Sequence, residues 1–241
     1  MRLIIFTTRT KHHTYFIQKI YEEFDIDQII YERRVLNVSY KIGPFFDREQ
    51  DDYEELFFDK TAGGCSRQIP EILEQRSVDV YSVNQKGMRE FLFAHEPGLI
   101  WVYGTGKILP HIIKVPKWGM VNLHGGISQK YRGLDSTLWA MYYGDFESLG
   151  LTVHFVSPEL DTGDILQQEY LKILKSDEIY HYRYRTTLLA TRVSLELLRR
   201  FKNDYTQLKA SPQLPGNYYS AMPLNKKMIA YNNFEKYKGQ L

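Results

Sequence analysis

The stretch MVNLHGGISQKYRGLDSTLWA, residues 120–140, brings an apolar run to an end at Asn122-Leu123-His124 and passes straight into Gly125-Gly126. Side chains on a strand alternate with period two, so Asn122 and His124 share one face. A carboxamide donor beside an imidazole is a pair suited to stabilising a developing oxyanion, with the imidazole also able to move a proton. The glycine pair lets backbone approach a ligand with no side chain between them. Taken alone, Asn-x-His reads as a strand end with a tight turn and one satisfied histidine.

A second element changes that weighing. In SPELDTGDIL, residues 157–166, Asp161 lies 37 positions after His124. An aspartate beside a histidine orients the ring and stabilises its cationic form. On its own, Asp-Thr-Gly-Asp is an ordinary turn.

These residues need strands and loops to carry them. Leu3 to Thr7 reads as a buried strand, and Tyr15 to Phe24 carries apolar residues at helical spacing. Further strands are expected at 28–31, 78–83, 99–103, 119–124, 149–156 and 164–173. Helices are expected at 51–58, 86–95, 134–143 and 177–201. Strands spaced by helices imply crossover connections and a parallel sheet, whose ligands sit beyond the carboxyl ends of the strands. Residues 211–241 contain three of the nine prolines and read as an irregular arm with one hairpin.

Composition narrows the partners. The 241 residues suit one substantial domain plus an appendage. Lys+Arg 31 against Asp+Glu 29 gives a net charge of +2, which offers no chain-wide field for nucleic acid or an anionic membrane. Cys65 is the only cysteine, so neither an intrachain disulfide nor a structural zinc site is expected. The short apolar run Leu3–Phe6 is far from a signal peptide or membrane span, and a cytoplasmic protein is the expectation.

The ordered set of NxH, Tyr131-Arg132-Gly133, a helix with Trp139, the strand GLTVHFV and then ELDTGDI resembles the folate-dependent formyltransferase family, most strongly over residues 98–172. The resemblance implies an α/β fold, a Rossmann-like, mostly parallel sheet flanked by helices. It puts the catalytic residues at Asn122, His124 and Asp161, with His124 as general base, Asn122 as oxyanion donor and Asp161 as orienter. It implies N10-formyltetrahydrofolate as formyl donor and no metal. The pterin is expected against main-chain groups of Lys107, Ile108 and Leu109 and of the segment from Val156 to Asp161, including Glu159 and Leu160. His154 is expected to pack beside the site without acting.

Departures from the family pattern guide the choice of acceptor. The Ser-Leu-Leu-Pro run usual after the histidine is replaced by Gly125-Gly126-Ile127-Ser128-Gln129-Lys130, and the turn after the first strand, TTRTKHH, lacks the glycines that hold phosphate in the purine-pathway enzyme. A near-neutral charge and a short segment after the last long helix disfavour tRNA. The nucleotide-sugar N-formyltransferase branch remains, with its Tyr131–Ser136 segment and an arm like GNYYSAMP. On this reading the acceptor is an amino-deoxysugar of the 4-amino-4,6-dideoxyhexose type linked to GDP, UDP or dTDP, used in O-antigen or other surface-polysaccharide synthesis. Arg9, Lys11, Gly125, Gly126, Tyr131, Arg132 and Tyr218 are the candidate acceptor contacts, with the basic residues and the Tyr218/Tyr219 pair set to meet pyrophosphate and base. Residues 1–205 form the expected catalytic domain and 206–241 an arm for dimerisation or acceptor binding, the protein being a homodimer. The alternatives are a formyltetrahydrofolate hydrolase, a methionyl-tRNA or glycinamide ribonucleotide formyltransferase, and a non-catalytic folate or nucleotide binder.

Overall fold

The computed structural model describes residues 1–33, 36–61, 69–204, 209–214 and 216–241. Cys65 and the expected domain boundary at 205/206 lie outside the described residues. Five strands run in parallel: β1 (Leu3–Thr7), β2 (Ile26–Glu32), β3 (Ser77–Val80), β4 (Leu99–Val102) and β5 (Met120–His124). After a short strand outside this sheet, β6 (Tyr131–Gly133), β7 (Gly150–Phe155) and β8 (Ile165–Tyr170) add to its edge antiparallel. The sheet order is β3-β2-β1-β4-β5-β7-β8. The chain therefore reverses direction across the sheet between β1 and β4, and a crevice opens at their carboxyl ends, where ligands of open α/β sheets bind. The mostly parallel α/β architecture is the one expected from sequence.

The continuous apolar run of β1 follows from burial on both faces. Leu3 and Ile5 join a core with Phe16, Ile17 and Ile20 of α1 (Lys11–Tyr21) and Val193, Leu197 and Phe201 of the last long helix. Ile4 and Phe6 turn to the opposite core with Ile30, Val102 and Ile112. Helix α1 starts four residues before the expected Tyr15, because Thr10 caps it by accepting from the His13 N–H. Between them lie α2 (Asp47–Thr61), α3 (Glu71–Gln75), α4 (Met88–His95), α5 (Pro110–Ile113) and α6 (Ser136–Tyr142), and the long helix is α7 (Tyr182–Asp204).

The described residues of the expected irregular arm form regular elements. Asn217–Tyr219 forms β9, which pairs in parallel with β6, and Leu224–Lys238 forms α8, which buries Ala230 and Phe234 against Trp139, Ala140 and Met141 of α6. Gly133 makes the β6–β9 contact possible: it has φ +92°, and a Cβ there would lie 2.2 Å from the Tyr219 carbonyl oxygen. No helix among the described residues is long and apolar enough to cross a membrane.

Candidate active site

Strand β5 delivers Asn122 and His124 to the crevice, as period two requires, and the antiparallel register of β7 sets His154 directly opposite Asn122. The loop from β7 to β8 then brings Asp161 over both. Asp161 is held at φ +54°, in the left-handed region, a backbone state that costs a non-glycine residue about 1 kcal/mol or more and collects at functional sites. Gly163, two residues on, passes so close to the Phe155 carbonyl that a Cβ would lie 1.7 Å from its oxygen. The loop can fold over β7 only with glycine there.

One carboxylate gathers the site. Asp161 Oδ1 accepts from Asn122 Nδ2 at 3.1 Å and lies 3.5 Å from His154 Nε2, while Oδ2 accepts from the Gly133 N–H at 2.8 Å and lies 3.3 Å from His124 Nδ1. Burial by itself raises this carboxyl's pKa, but the neighbouring charge of His124 and the Gly133 N–H hold it below the ordinary carboxylate range. His124 Nε2 donates to the Tyr131 carbonyl at 2.8 Å. Both of its ring nitrogens therefore face oxygen atoms, Asp161 Oδ2 and the Tyr131 carbonyl.

His154 does more than pack. Its Nδ1 donates to the Phe155 carbonyl at 2.8 Å, which leaves Nε2 to accept from Asn122 Nδ2 at 3.1 Å. The two amide hydrogens of Asn122 are thereby aimed at Asp161 and His154. Its orientation is fixed, and an incoming carbonyl oxygen must compete for one of them.

Two cavities meet at His124, Gly125, Gly133, Leu134 and Tyr103. The first, of about 290 Å³, runs between the 103–108 and 156–161 loops, with apolar walls from Val102, Ile108, Leu123, Leu134 and Val156 and polar main chain along its edges. A slot of that form fits a flat, amide-rich heterocycle such as a pterin. Lys107, Ile108, Val156, Glu159, Leu160 and Asp161 line it, with Lys107 Nζ 3.3 Å from the Glu159 carboxylate. Leu109 does not line it; it precedes α5, and its N–H is bonded to Asn84 Oδ1 at 2.8 Å. Asn84 Nδ2 also takes the Lys107 carbonyl at 2.7 Å, so these two main-chain groups serve the loop itself. Glu32, buried at the end of β2, braces the same loop by accepting from the Gly106 N–H at 2.6 Å. The His12 and His13 rings, 4.1 Å apart, and Tyr103 close one end of the slot.

The second cavity, of about 420 Å³, opens on the other side of His124 between Phe45, Phe46, Tyr180, Tyr182, Thr186 and Lys227. Gly125 borders both cavities, and a Cβ there would meet nothing within 4 Å, whereas Gly126 is packed against Ser136.

The structure gives the remaining acceptor candidates other partners. Arg9 pairs with Glu74 at 2.8 Å and Asp79 at 3.1 Å and stacks 3.9 Å from the centre of the Tyr31 ring, while Lys11 pairs with Glu55 at 2.8 Å. Both line a groove that adjoins the second cavity at Asp47 and Arg183. Tyr131 is buried, giving its carbonyl to His124 and its hydroxyl to Asp145 at 3.2 Å. Arg132 donates to the carbonyls of Gly216 at 2.6 Å and Leu160 at 3.1 Å, tying β6 to the arm and to the Asp161 loop. Tyr218, 53% exposed, borders the first cavity. The sequence reading missed Gln213, whose amide donates to the Asp161 carbonyl at 3.3 Å and to the Gly163 carbonyl while accepting from Ser128 Oγ at 2.6 Å. Only the folded arm brings it there.

The family model described as formyl transferase matches residues 65–197. A methionyl-tRNA formyltransferase from Thermosynechococcus vestitus is 29% identical over 150 residues, covering 61% of this chain and 37% of the relative. The chain spans about a third to a half of the length of the first curated relatives it matches. Among solved structures, a sugar N-formyltransferase from Shewanella sp. is 15% identical with a TM-score of 0.60, covering 97% of this chain and 88% of that one. The formyltransferase PseJ from Anoxybacillus kamchatkensis, in complex with UDP-4,6-dideoxy-4-formamido-L-AltNAc and tetrahydrofolate, is 17% identical with a TM-score of 0.53, covering 95% and 88%. These two likenesses are likenesses of fold.

Proposed function

We propose that this chain, which belongs to the formyl transferase family, transfers a formyl group from N10-formyltetrahydrofolate to the amine of a nucleotide-linked amino-deoxysugar of the 4-amino-4,6-dideoxyhexose type. The observation that carries the reading is the pair of cavities joined at His124 and Gly125. The slot takes the donor's ring and the second cavity takes the acceptor, so amine and formyl carbon meet at the imidazole. PseJ, with a nucleotide sugar and tetrahydrofolate bound on a similar fold, supports this choice. The setting that goes with it is cytoplasmic surface-polysaccharide synthesis by a homodimer.

The chemistry follows from the charges. The amine nitrogen bonds to the formyl carbon, and negative charge develops on the formyl oxygen. The His124 imidazolium and one Asn122 amide hydrogen, drawn from the resting bonds to Tyr131 and His154, stabilise that charge. The bond from carbon to the folate nitrogen then breaks. The amine gives up one proton and the folate nitrogen gains one. That proton passes from the amine nitrogen to the folate nitrogen, while the ionised Asp161 holds His124 in place beside them.

A second reading, methionyl-tRNA as acceptor, is favoured by the name of the sequence relative, while the net charge of +2 disfavours a polyanion. The test supplies saturating formyl donor and a panel of GDP-, UDP- and dTDP-linked 4-amino sugars, with charged initiator tRNA and water alone as further arms. Formylated sugar is the expected product. Transfer to tRNA only, or release of formate alone, would replace the proposal by the corresponding alternative.

A further inference from the structure

One wall of the first cavity is made by residues 103–108, which belong to no helix or strand, so no ladder of main-chain hydrogen bonds sets its shape. Glu32, at the end of β2, and Asn84, in the turn after β3, supply that hold. Glu32 accepts from the Gly106 N–H at 2.6 Å with one carboxylate oxygen and from the Val83 N–H at 3.0 Å with the other. Asn84 makes the wider grip: its Oδ1 accepts from the Leu109 N–H at 2.8 Å, and its Nδ2 donates to the Lys107 carbonyl at 2.7 Å. An N–H can be met only by the amide oxygen, so these two contacts settle which way the carboxamide faces.

Asn84 is itself firmly seated. Val83 before it is fully buried in the core with Ile30, Val102 and Ile108, and the Asn84 N–H bonds to Ser82 Oγ at 3.1 Å. The carboxamide thus works as a splint spanning Lys107 to Leu109.

The splint also sorts the main-chain groups. In a trans peptide the carbonyl and the N–H point in opposite directions. With the Lys107 carbonyl and the Leu109 N–H both turned to Asn84, the Ile108 N–H and carbonyl both turn away from it. Neither has a hydrogen-bond partner among the described residues. Ile108 lines the cavity and Asn84 does not. A pterin carries N–H and carbonyl groups along its edge, the complement of such a pair.

We propose that Asn84 is a positioning residue for the formyl donor: by holding Lys107 and Leu109 it presents the Ile108 main chain to the pterin edge, without touching the ligand. The inference rests on the folate reading above. A wall already ordered spares the ligand the loss of freedom that a loose loop would suffer on binding, and that saving appears as affinity.

The test uses the full chain. Calorimetric titration with tetrahydrofolate gives Kd, steady-state kinetics with the acceptor that the panel identifies give both KM values and kcat, and thermal melts give Tm. Asn84→Leu deletes both contacts at similar volume, and Asn84→Gln keeps the carboxamide on a stem one methylene longer. The expected result for Asn84→Leu is a rise of about tenfold in tetrahydrofolate Kd and in formyl-donor KM, with acceptor KM and kcat within about twofold of wild type. Asn84→Gln should show a smaller rise of the same kind, and it carries the comparison if Asn84→Leu does not fold. An unchanged tetrahydrofolate Kd in a folded variant overturns the proposal and leaves the folate reading standing. Both KM values rising together, in step with a lowered Tm, would mean that Asn84 only supports the fold, and that also overturns it. If wild type does not bind tetrahydrofolate, the proposal and the folate reading both fall.

Discussion

Replacing Asp161 by Asn removes one charge from a nearly unchanged shape, and the structure fixes how much that should matter. The carboxylate lies 3.3 Å from His124 Nδ1, and the two side chains are 8% and 6% exposed. At an effective dielectric of about 20, two unit charges at that separation attract by 332/(20 × 3.3), or about 5 kcal/mol. That figure is a ceiling, corresponding to roughly three to four decades in rate if all of it is lost from the transition state. The variant also sets an amide N–H against the Gly133 N–H or the Asn122 amide, because both now face donors. We expect kcat to fall about 1000-fold, measured as tetrahydrofolate release in a single turnover with both substrates saturating. A fall of less than tenfold in a folded variant would refute the claim that this charge supports His124 in the transition state. Stability gives a second reading. A carboxyl held below its unfolded pKa stabilises the fold above the ordinary aspartate range and stops doing so as pH falls through the folded value. The Tm deficit of Asp161→Asn should thus be constant from pH 8 to about pH 5 and close below about pH 4.

Four further outcomes follow from single contacts. Burial pushes His13 from 6.5 down to about 4, against its bond to the Thr8 carbonyl and with the charge of Arg183 adding to the fall. Unfolding therefore takes up a proton between these values: wild-type stability should drop by roughly 3 kcal/mol at most from pH 6.5 to pH 4 and then level off, and His13→Asn should flatten that slope in thermal melts. Gln213→Leu, which unties the arm from the Asp161 and Gly163 carbonyls, should lower kcat about tenfold with circular dichroism unchanged. Arg9→Ala should alter acceptor KM by less than about twofold, since its charge is already matched by Glu74 and Asp79, and a tenfold rise would return it to the substrate contacts. Gly125→Ala should keep its Tm yet lose transfer, because the methyl enters the passage between the cavities, whereas Gly126→Ala should lose about 1–3 kcal/mol of stability, its Cβ lying 2.6 Å from Ser136 Cβ.

Local pattern carried the sheet and half of the site. The apolar runs of β1, β4 and β5 are legible because buried parallel strands show no alternation to confuse, and Asn122 and His124 share a face by period alone. Asp161 was legible only as part of an ordered set; nothing local in LDTG distinguishes it from a turn. His154 reaches Asn122 through an antiparallel register, and Gln213 reaches Asp161 across 52 residues, neither of which leaves a local mark. Helix α8 was missed because its buried stripe is narrow, Ala230 and Phe234 amid lysines and asparagines, although Pro223 before it and Gly239 after it are helix boundary signals.

Charge was the least legible property of all, and the acceptor site shows why. A basic residue in a loop looks available until the fold supplies its partner. Arg9 meets two carboxylates from α3 and β3, and Lys11 meets one from α2. The cations bordering the acceptor cavity are committed as well: Arg183 is bound by Glu54 at 2.6 Å and Asp51 at 2.9 Å, and Lys227 lies 3.8 Å from Asp135 with its ammonium over the Phe45 ring. On the proposed reading, an acceptor entering there finds aromatic rings before it finds unmatched charge, and shape, more than attraction to a pyrophosphate, sets the order in which acceptors are preferred, because a charge already paired in the protein gives little on meeting another.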